Sequence, residues 1–552
     1  MMTNIELAEK TIEQLYARGV REFIVCAGAR NAPLVKVLGG CEAPSPIQVY
    51  YFFEERSAAF FALGRMKATQ RPVAVLTTSG TAVAELYPAV MEAFYSRLPL
   101  VVVTADRPKK FRQKGAPQSI EQVGVFSHYV LPENAVDWDE STLIFELPLS
   151  YESATQVNVC FREPLIDRAV DFQFSKKLEM ISDPEETNRI EASLASSAFD
   201  RFFEKSKNPL VILGELSENA NDDFVTLLEQ LNQPIYAEAH SGLRQDSKLE
   251  GLRLQSGDRF LSSKKATQYF DGVIRIGSVP TVRLWRDLED RLAHWPVISF
   301  SEKPFSGLSR VDEKPFTFGA QLSNLKSFVQ KFRQAQPTQE GQHDSILAVD
   351  SEIYLKLNDL FEKYQLSEQT FFREISSSLT QPTRVFLGNS LPIREWDLAA
   401  RYDNSRIQSV AGNRGVNGID GLVSTFLGWS QMRSQNLLIL GDLSALYDLA
   451  GLWPVAQGYT APFKIIVINN SGGQIFRPMF KDAHFENHHE LNFSNWAKMF
   501  HLNYSLVTET SALKTKLQSF DSASEIIEVQ PNNDQTQEFW RAYDQLVAGL
   551  AT

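Results

Sequence analysis

Short apolar runs alternate with amphipathic segments along the first third of the chain. The apolar runs are rich in β-branched and aromatic residues and predict strands at 23–27, 49–53, 73–77 and 100–104. Segments with apolar residues three or four positions apart predict helices at 5–18, 56–67 and 81–97. Strands that are apolar on both faces and alternate with helices are typical of an α/β fold with a mostly parallel sheet.

Two polar stretches interrupt this alternation, at residues 181–207 and 334–345. Between them the pattern predicts strands at 209–213, 234–237, 272–276 and 297–300. After the second stretch it predicts strands at 385–387, 408–410, 437–440, 465–468 and 526–529, with helices at 394–402, 421–432 and 536–549. The sequence therefore predicts three doubly wound α/β domains with mostly parallel sheets, at residues 1–180, 181–345 and 346–552.

The composition is that of a soluble globular protein, with 43% hydrophobic and 22% charged residues among 552. The net charge of −12 argues against nucleic acid or an acidic membrane as a partner, so an anionic substrate would need a local group of arginines. Three cysteines without CxxC spacing indicate neither a disulfide framework nor a structural zinc site, which fits a cytoplasmic location. The N-terminal segment is amphipathic and no run of 18 apolar residues occurs, so we expect no stable membrane insertion.

Oxygen-bearing residues follow two consecutive predicted strands of the last domain. Asp442 comes after the first strand, and Asn469 and Asn470 come after the second. Hard cations take oxygen ligands, so Asp442, the Asn470 amide oxygen and the Gly472 carbonyl could supply half of an octahedron around Mg²⁺. A helix predicted to start near Ser444 would direct free N–H groups at the same place, which suits a diphosphate. For either side chain alone, a capping aspartate and an Asn-rich turn of an ordinary βαβ unit is the better interpretation, but the combined spacing favours the metal site.

The segment Gly441-Asp442-Leu443, followed after 25 residues by Asn469-Asn470, resembles the metal and diphosphate motif of thiamine-diphosphate enzymes. Leu443 stands where that motif has its last glycine, and both expected ligand side chains are kept. The resemblance implies thiamine diphosphate as the cofactor, with Mg²⁺ or Mn²⁺ bound by Asp442, Asn470 and Gly472. The implied cofactor-binding positions are Glu55, Ser79, Gly80, Gly441, Asp442, Leu443, Ser444, Asn470, Ile419, Ile475 and Phe476. For the last three, which are apolar, a place in the core is an equally good interpretation.

Glu55 follows an apolar predicted strand in the segment YYFFEERSAAF. In thiamine-diphosphate enzymes a glutamate at the matching position hydrogen-bonds the aminopyrimidine ring and promotes loss of the thiazolium C2 proton, so the resemblance implies a catalytic role for Glu55. A carboxyl group there should be partly desolvated, which favours the protonated form that can donate a hydrogen bond. Taken alone, Glu55 would be interpreted as a first-turn glutamate that interacts with the helix dipole; the metal motif reverses that preference.

Within this superfamily the chain most closely resembles the 2-succinyl-5-enolpyruvyl-6-hydroxy-3-cyclohexene-1-carboxylate synthase family of menaquinone biosynthesis. The matching segments lie in both outer domains, and the middle domain carries little of the resemblance. These segments are Glu55-Arg56, 77–94, 104–108, 388–390, 413–415, 418–421, 441–449 and 469–476. The resemblance implies a transferase that decarboxylates 2-oxoglutarate and adds the succinyl carbanion equivalent to isochorismate.

Both implied substrates are polycarboxylates, for which guanidinium groups are the expected partners. The matching substrate-binding positions are Arg30, Arg107, Gln118, Ser390, Arg394 and Arg414, with Arg283 as a loosely aligned candidate from the middle domain. By resemblance, Ser390 and Arg394 would hold the distal carboxylate of the 2-oxoglutarate-derived part, and Arg414 would lie between the substrates. Arg30, Arg107 and Gln118 would face isochorismate. A lone arginine is more often a solvated ion-pair partner, but these arginines lie in loops after predicted strands, where ligands bind.

Two residues depart from the family pattern near the expected isochorismate contacts. Ala29 replaces a serine and Pro117 replaces an asparagine, so these contacts are expected to be rearranged. The resemblance also implies a homodimer or tetramer in which Glu55 of one chain meets the diphosphate site of another.

Two alternatives to this function stay open. One is another thiamine-diphosphate carboligase or decarboxylase, such as an acetolactate-synthase-like protein. Proteins of that kind with bound FAD need a middle domain adapted to it, and this middle domain lacks the GxGxxG pattern of a dinucleotide site. The other is a catalytically silent α/β binding protein, because fold alone does not establish activity. Retention of Glu55, Asp442 and Asn470 together argues against a silent protein.

Overall fold

The computed structural model describes residues 2–40, 45–148, 153–170, 172, 192–216, 222–310, 323–337, 341–459, 461–519 and 523–550. In these residues, helices pack around three sheets of six, four and six strands. All the strand pairs are parallel. The predicted α/β fold with three mostly parallel sheets is therefore confirmed.

The first sheet is formed by the N-terminal part of the chain. Its strands are β1 (Glu22–Cys26), β2 (Gln48–Phe52), β3 (Val73–Thr77), β4 (Leu100–Asp106), β5 (Ala135–Trp138) and β6 (Thr155–Cys160). Its helices are α1 (Asn4–Ala17), α2 (Ala32–Gly39), α3 (Glu55–Thr69), α4 (Thr81–Ala84) and α5 (Tyr87–Ser96). Helix α1 begins with a capping box, in which the side chains of Thr3 and Glu6 each accept a hydrogen bond from the other residue's backbone N–H.

The second sheet is smaller and its strands are buried. They are β7 (Pro209–Leu213), β8 (Ile235–Ala237), β9 (Gly272–Ile276) and β10 (Val297–Phe300). The helices of this region are α6 (Ala192–Lys205), α7 (Asp222–Leu231), α8 (Asp258–Leu261), α9 (Lys264–Tyr269), α10 (Arg283–Asp287) and α11 (Ser323–Ala335).

The third sheet is formed by the C-terminal part of the chain. Its strands are β11 (Thr383–Leu387), β12 (Ile407–Ala411), β13 (Gln435–Gly441), β14 (Phe463–Ile468), β15 (Asn503–Val507) and β16 (Glu525–Val529). Its helices are α12 (Asp344–Lys363), α13 (Glu368–Ser378), α14 (Leu391–Ala399), α15 (Leu422–Trp429), α16 (Asp442–Tyr447), α17 (Trp453–Ala456), α18 (Arg477–Phe480), α19 (Ser494–Met499), α20 (Thr510–Gln518) and α21 (Asn533–Leu550).

The predicted domain boundaries are not settled by these elements. The boundary between residues 180 and 181 lies outside the described residues. The boundary between 345 and 346 falls in the first turn of α12. Both boundaries stay predictions.

The third sheet contributes to two cores, because successive side chains of a strand point to opposite faces. Leu437 and Ile439 of β13 belong to a core that continues to the second sheet. Leu438 and Leu440 belong to a core that continues to α3 of the first sheet. The third sheet therefore packs between the other two regions of the chain.

Helices α3 and α15 cross with their backbones in contact. A Cβ atom on Gly64 would lie 2.0 Å from the Thr425 carbonyl oxygen, and a Cβ atom on Gly428 would lie 2.2 Å from the Phe61 carbonyl oxygen. Only glycine allows this approach at both positions. The first and third sheets are thus joined by a direct helix-to-helix contact within one chain.

Some local predictions differ from the structure. The single helix predicted at 81–97 is two helices, α4 and α5, because Pro88 lies in the first turn of α5 and cannot continue a preceding helix. Strand β6 was not predicted because its buried residues include Gln156 and Asn158, which bond to other buried polar groups. In the part of the chain that the structure describes, no helix combines the length and apolar character needed to cross a bilayer.

Candidate active site

The strand order of each outer sheet reverses at one point. The order is β2-β1-β3-β4-β6-β5 in the first sheet and β12-β11-β13-β14-β16-β15 in the third. The reversals fall between β1 and β3 and between β11 and β13, and ligands bind beyond the carboxyl ends of strands at such points. The loops there carry Arg30 and Ser79 in the first sheet, and Ser390 and Asp442 in the third.

Asp442 is buried at the start of α16, and backbone donors hold its carboxylate. The Gly472 N–H donates to Oδ2 at 2.8 Å, and the Leu443 N–H donates to Oδ1 at 2.6 Å. Burial raises the pKa of Asp442, and these donors oppose that shift. The helix begins at Asp442 rather than near Ser444, so the N–H groups of Leu443 and Ser444 lie in its first turn.

Asn470 is buried in the turn after β14. Its amide nitrogen donates to Oε2 of Glu368 at 2.9 Å, which leaves the amide oxygen as the atom that can face a cation. The chain then turns at Gly472, whose φ is +129°. A Cβ atom on Gly472 would lie 2.4 Å from the Glu486 carbonyl oxygen, so this turn requires glycine.

These residues fit a hard divalent cation. They offer a carboxylate, an amide oxygen and a carbonyl oxygen at the ends of β13 and β14, which are neighbours in the sheet. Among the described residues no group of three or more His, Cys, Asp or Glu could hold a metal ion, so this mixed oxygen set is the candidate site. A Cβ atom on Gly441 would meet nothing within 4 Å, so there is open space beside Asp442.

Glu55 is the first residue of α3. The preceding residue, Glu54, caps the helix by accepting from the N–H groups of Arg56 and Ser57. Burial raises the pKa of Glu55, and the negative charges of Glu54 and Glu85 add to the shift. A raised pKa favours the protonated carboxyl group, which can donate a hydrogen bond to a ring nitrogen.

Gly80, Arg107 and Gln118 are brought together around the loop that contains Pro117. Nε of Arg107 donates to the Pro117 carbonyl oxygen at 3.0 Å. A Cβ atom on Gly80, which has a φ of +89°, would lie 3.3 Å from Cα of Gln118. Ser79, next to Gly80, is buried at the same edge of the sheet.

Arg30 is buried and already paired within the first region. Its guanidinium donates to the Phe161 carbonyl oxygen at 3.0 Å and lies 3.1 Å from a carboxylate oxygen of Glu163. The Glu163 side chain is 67% exposed. The backbone N–H of Arg30 donates to the Thr78 hydroxyl at 3.3 Å, so a hydroxyl from the neighbouring loop lies next to Ala29.

Ser390, Arg394 and Arg414 lie together at the carboxyl edge of the third sheet. A guanidinium nitrogen of Arg394 donates to the Ser390 carbonyl oxygen at 2.5 Å, and one of Arg414 donates to Oδ1 of Asn389 at 2.5 Å. Burial lowers the pKa of Arg394, and the positive charge of Arg414 adds to the shift. Two guanidinium groups that repel each other favour an anion between them.

Arg283 lies at the start of α10 with most of its side chain exposed. Its Nε lies 2.9 Å from a carboxylate oxygen of Asp287 on the same helix. Its backbone N–H donates to Asp258, whose charge acts on Arg394, as does the charge of Arg286. The middle region therefore brings Arg286 close enough to act on Arg394, and a substrate role for Arg283 stays a prediction.

Ile419, Ile475 and Phe476 are the apolar residues expected beside the cofactor. Ile419 and Ile475 are half-buried, and Phe476 is exposed and stacks on Phe480 with 6.1 Å between ring centroids. None of the three is fully buried, which argues against an ordinary place in the core.

Two residues beside the metal set were not predicted from the sequence. Glu368 accepts from Asn470, and burial raises the pKa of Glu368 to about 7. Nε2 of His489 lies 3.3 Å from Oδ2 of Asp442. Glu368 precedes Asn470 by 102 residues, so no local spacing signals their contact. The only available signal for His489 was its place in a His-His pair near the metal motif.

Comparison with known proteins gives one consistent result. Residues 5–125 match the family model "Thiamine pyrophosphate enzyme, N-terminal TPP binding domain", and thiamine pyrophosphate is another name for thiamine diphosphate. A 2-succinyl-5-enolpyruvyl-6-hydroxy-3-cyclohexene-1-carboxylate synthase from Bdellovibrio bacteriovorus is 43% identical over 546 residues, 99% of this chain and 99% of its own. Proteins of the same name from Akkermansia muciniphila and Enterococcus faecalis are 33% and 30% identical over 98% of this chain, and the matches cover 98% and 95% of their own lengths.

These matches confirm the expected thiamine-diphosphate cofactor, the transferase class and the role in menaquinone biosynthesis. The three relatives share one name, which supports neither a different carboligase nor a silent binding protein. On its identity to these relatives over nearly its whole length, the chain belongs to the 2-succinyl-5-enolpyruvyl-6-hydroxy-3-cyclohexene-1-carboxylate synthase family of thiamine-diphosphate-dependent enzymes.

Proposed function

We propose that this chain decarboxylates 2-oxoglutarate and transfers the remaining succinyl unit to isochorismate, giving 2-succinyl-5-enolpyruvyl-6-hydroxy-3-cyclohexene-1-carboxylate and CO₂. One observation carries the proposal. The oxygen set around Asp442 and the guanidinium groups of Arg394 and Arg414 lie at the same carboxyl edge of the third sheet. A cation site suited to a diphosphate and a cationic site suited to a polycarboxylate thus share one edge.

The proposed cofactor contacts follow from the chemistry of these residues. Asp442, Asn470 and Gly472 would hold Mg²⁺ or Mn²⁺, and the N–H groups at the start of α16 would meet the diphosphate. Thiamine diphosphate supplies the electron sink that decarboxylation of a 2-oxoacid requires. Glu55 in its protonated form would donate to the pyrimidine ring. Further contacts would come from Ser79, Gly80, Gly441, Leu443 and Ser444, and Ile419, Ile475 and Phe476 would exclude water.

The substrate contacts are proposed on charge. Arg394 and Ser390 would hold the distal carboxylate of 2-oxoglutarate, and Arg414 would lie between the two substrates. Arg30 would contribute by exchanging the largely exposed Glu163 carboxylate for a carboxylate of isochorismate. The remaining isochorismate contacts would come from Arg107, Gln118 and Arg283.

We further propose a homodimer or tetramer whose active sites are shared between chains. In one chain, Arg56 donates to the Tyr447 carbonyl oxygen at 3.1 Å, and Tyr447 is the last residue of α16. Asp442 is the first residue of the same helix, so a rise of about 7.5 Å separates it from Tyr447. Within one chain, the residue next to Glu55 thus binds the end of α16 that is opposite to the metal set, which is in keeping with a site that takes Glu55 from another chain.

Exposed apolar residues around the metal site also support a covering partner chain. They include Val416, Phe476, Met479, Phe480, Phe485 and Leu491. A patch of this kind is typical of a protein–protein interface rather than of a free surface.

We also propose that the enzyme is cytoplasmic. The thiols of Cys26 and Cys160 are buried and not in disulfide bonds, which is in keeping with a reducing compartment.

Product analysis tests the proposed reaction. The purified protein is incubated with thiamine diphosphate, Mg²⁺, 2-oxoglutarate and isochorismate, and CO₂ and the product mass are measured. We expect the product only when all four are present. Product from pyruvate but not from 2-oxoglutarate would instead indicate another carboligase, and absence of both CO₂ and product would indicate a silent protein.

A further inference from the structure

Glu92 of α5 is a buried carboxylate that belongs to the first region but binds the backbone of the third. Its Oε1 accepts from the Gly415 N–H at 2.8 Å, and its Oε2 accepts from the Val416 N–H at 2.8 Å. The Ser96 hydroxyl, one turn along α5, also donates to Oε1 at 2.8 Å. The Glu92 side chain is only 1% exposed, so these three neutral donors replace the water that a carboxylate otherwise needs.

The shape of the contact is as specific as its hydrogen bonds. A Cβ atom on Gly415 would lie 2.7 Å from the Glu92 carbonyl oxygen, 2.9 Å from Oε2 of Glu92 and 2.9 Å from the Ser96 hydroxyl. Helix α5 therefore approaches the loop as closely as it does because residue 415 has no side chain. The two backbone donors to Glu92 belong to the two residues that directly follow Arg414.

The loop that carries Arg414 is held from its other side by Asn389. The Asn389 amide nitrogen donates to the Asn413 carbonyl oxygen at 2.8 Å and to the Gly418 carbonyl oxygen at 2.6 Å, and its oxygen accepts from Arg414. Nε of Arg414 is buried and has no hydrogen-bond partner among the described residues, so this donor is still unsatisfied. Burial lowers the pKa of Arg414, and the charges of Glu238, Asp397 and then Glu92 oppose that shift.

We propose that Glu92 is a positioning residue of the substrate site: by binding the backbone directly after Arg414, it fixes the Arg414 guanidinium toward a substrate carboxylate. The inference rests on the proposed role of Arg414. It adds that the first region sets the geometry of a third-region substrate contact within the same chain. Glu92 itself does not touch substrate and acts through Arg414.

A double-mutant cycle tests this role. Glu92→Gln replaces an acceptor oxygen by an NH₂ group that faces a backbone N–H, so the loop should shift while α5 stays folded. We expect the KM of one substrate to rise about 10-fold or more, and Arg414→Ala to raise the KM of the same substrate. The double variant should be no worse than Arg414→Ala alone, because Glu92 then has nothing left to position. Thiamine-diphosphate affinity and kcat should change by less than about 3-fold in Glu92→Gln.

Two further variants keep the test decisive. Ser96→Ala removes one of the three donors and should raise the same KM by a smaller factor, which remains measurable if Glu92→Gln does not fold. Glu133→Gln, at an exposed glutamate of the first region, is the control and should change nothing. Additive losses in the double variant, or a loss confined to cofactor affinity, would overturn the role of Glu92. Product formation by the wild-type protein is measured in the same experiment and tests the proposed reaction separately.

Discussion

The first and third sheets have the same strand order but different chemistry at their carboxyl ends. At the reversal point of the third sheet, Asp442 and Asn470 present oxygen atoms suited to a metal ion. The corresponding edge of the first sheet presents Glu55 and the cationic side chains of Arg30 and Arg107, which are paired within that region. Strand order therefore indicates where a ligand can bind, and the loop residues give the two edges different chemistry to offer it.

The largest effect is expected at the carboxyl edge of the third sheet, where Asp442 belongs to the proposed metal site. Asp442→Ala should raise the Kd of thiamine diphosphate by roughly 100-fold or more, because the diphosphate loses the cation that joins it to the protein. Calorimetric titration with and without Mg²⁺ measures the effect. Asp482→Ala, at an exposed aspartate of the same region, is the matched control. A Kd in Asp442→Ala that equals the wild-type value would remove the metal assignment.

A substitution at the first sheet should lower the catalytic rate rather than cofactor affinity. Glu55→Gln should lower kcat by about 10²- to 10⁴-fold and leave cofactor affinity nearly intact, since an amide fills the space but cannot exchange a proton. Exchange of the thiazolium C2 proton, followed by NMR, should slow by a similar factor. Glu85→Gln is an informative control, because it removes a neighbouring negative charge that helps to raise the pKa of Glu55. In that variant the activity that depends on protonated Glu55 should be lost at a lower pH than in the wild-type protein. Normal C2 exchange in Glu55→Gln would return Glu55 to a structural role.

If Glu55 of one chain and the metal site of another form one active site, a mixture of two inactive variants should regain activity. A mixture of Glu55→Gln and Asp442→Ala chains can form a hybrid dimer with one intact site and one doubly altered site. With random exchange of subunits, about one quarter of wild-type activity should return. Mixing wild-type chains with the doubly substituted chain is the control for subunit exchange. Absence of recovery where exchange is demonstrated would show that each site is built within one chain.

The same comparison shows how much could be predicted from the sequence. The Asp442–Asn470 pair was predictable because β13 and β14 are neighbours, so a strand–helix–strand spacing implies adjacent loops. The contact of Asn470 with Glu368 was not predictable, since it depends on how a distant helix packs beneath the sheet. The same holds for Glu92, whose partners lie in another region of the chain. Local patterns predict elements and neighbouring loops, whereas contacts across hundreds of residues depend on tertiary packing.

A smaller and more selective effect is expected at the third-sheet arginines. Arg394→Ala should lower kcat/KM for 2-oxoglutarate by roughly 10- to 150-fold, because a charge-assisted hydrogen bond to the distal carboxylate is lost. Pyruvate lacks that carboxylate, so its decarboxylation should change little in the same variant. Arg401→Ala, at an arginine whose side chain is 41% exposed and paired with Asp403, is the matched control. Equal losses for both 2-oxoacids would mean that Arg394 supports the site generally and does not select the donor.

The smallest effect is expected at Leu443, the position where the chain departs from the metal motif. Leu443 contributes its backbone N–H to Oδ1 of Asp442 at 2.6 Å, and Leu443→Gly keeps that donor. Glycine in the first turn of the helix and the loss of a half-buried leucine side chain together cost about 2 kcal/mol, so the melting temperature should fall by no more than about 2 °C. The Kd of thiamine diphosphate should change by less than about 3-fold, in contrast to the loss in Asp442→Ala. Calorimetric titration and thermal unfolding of the two variants side by side make the comparison. A Leu443→Gly loss as large as that of Asp442→Ala would mean that the leucine side chain itself contacts the cofactor, and the third-sheet half of the site would then extend beyond its oxygen ligands.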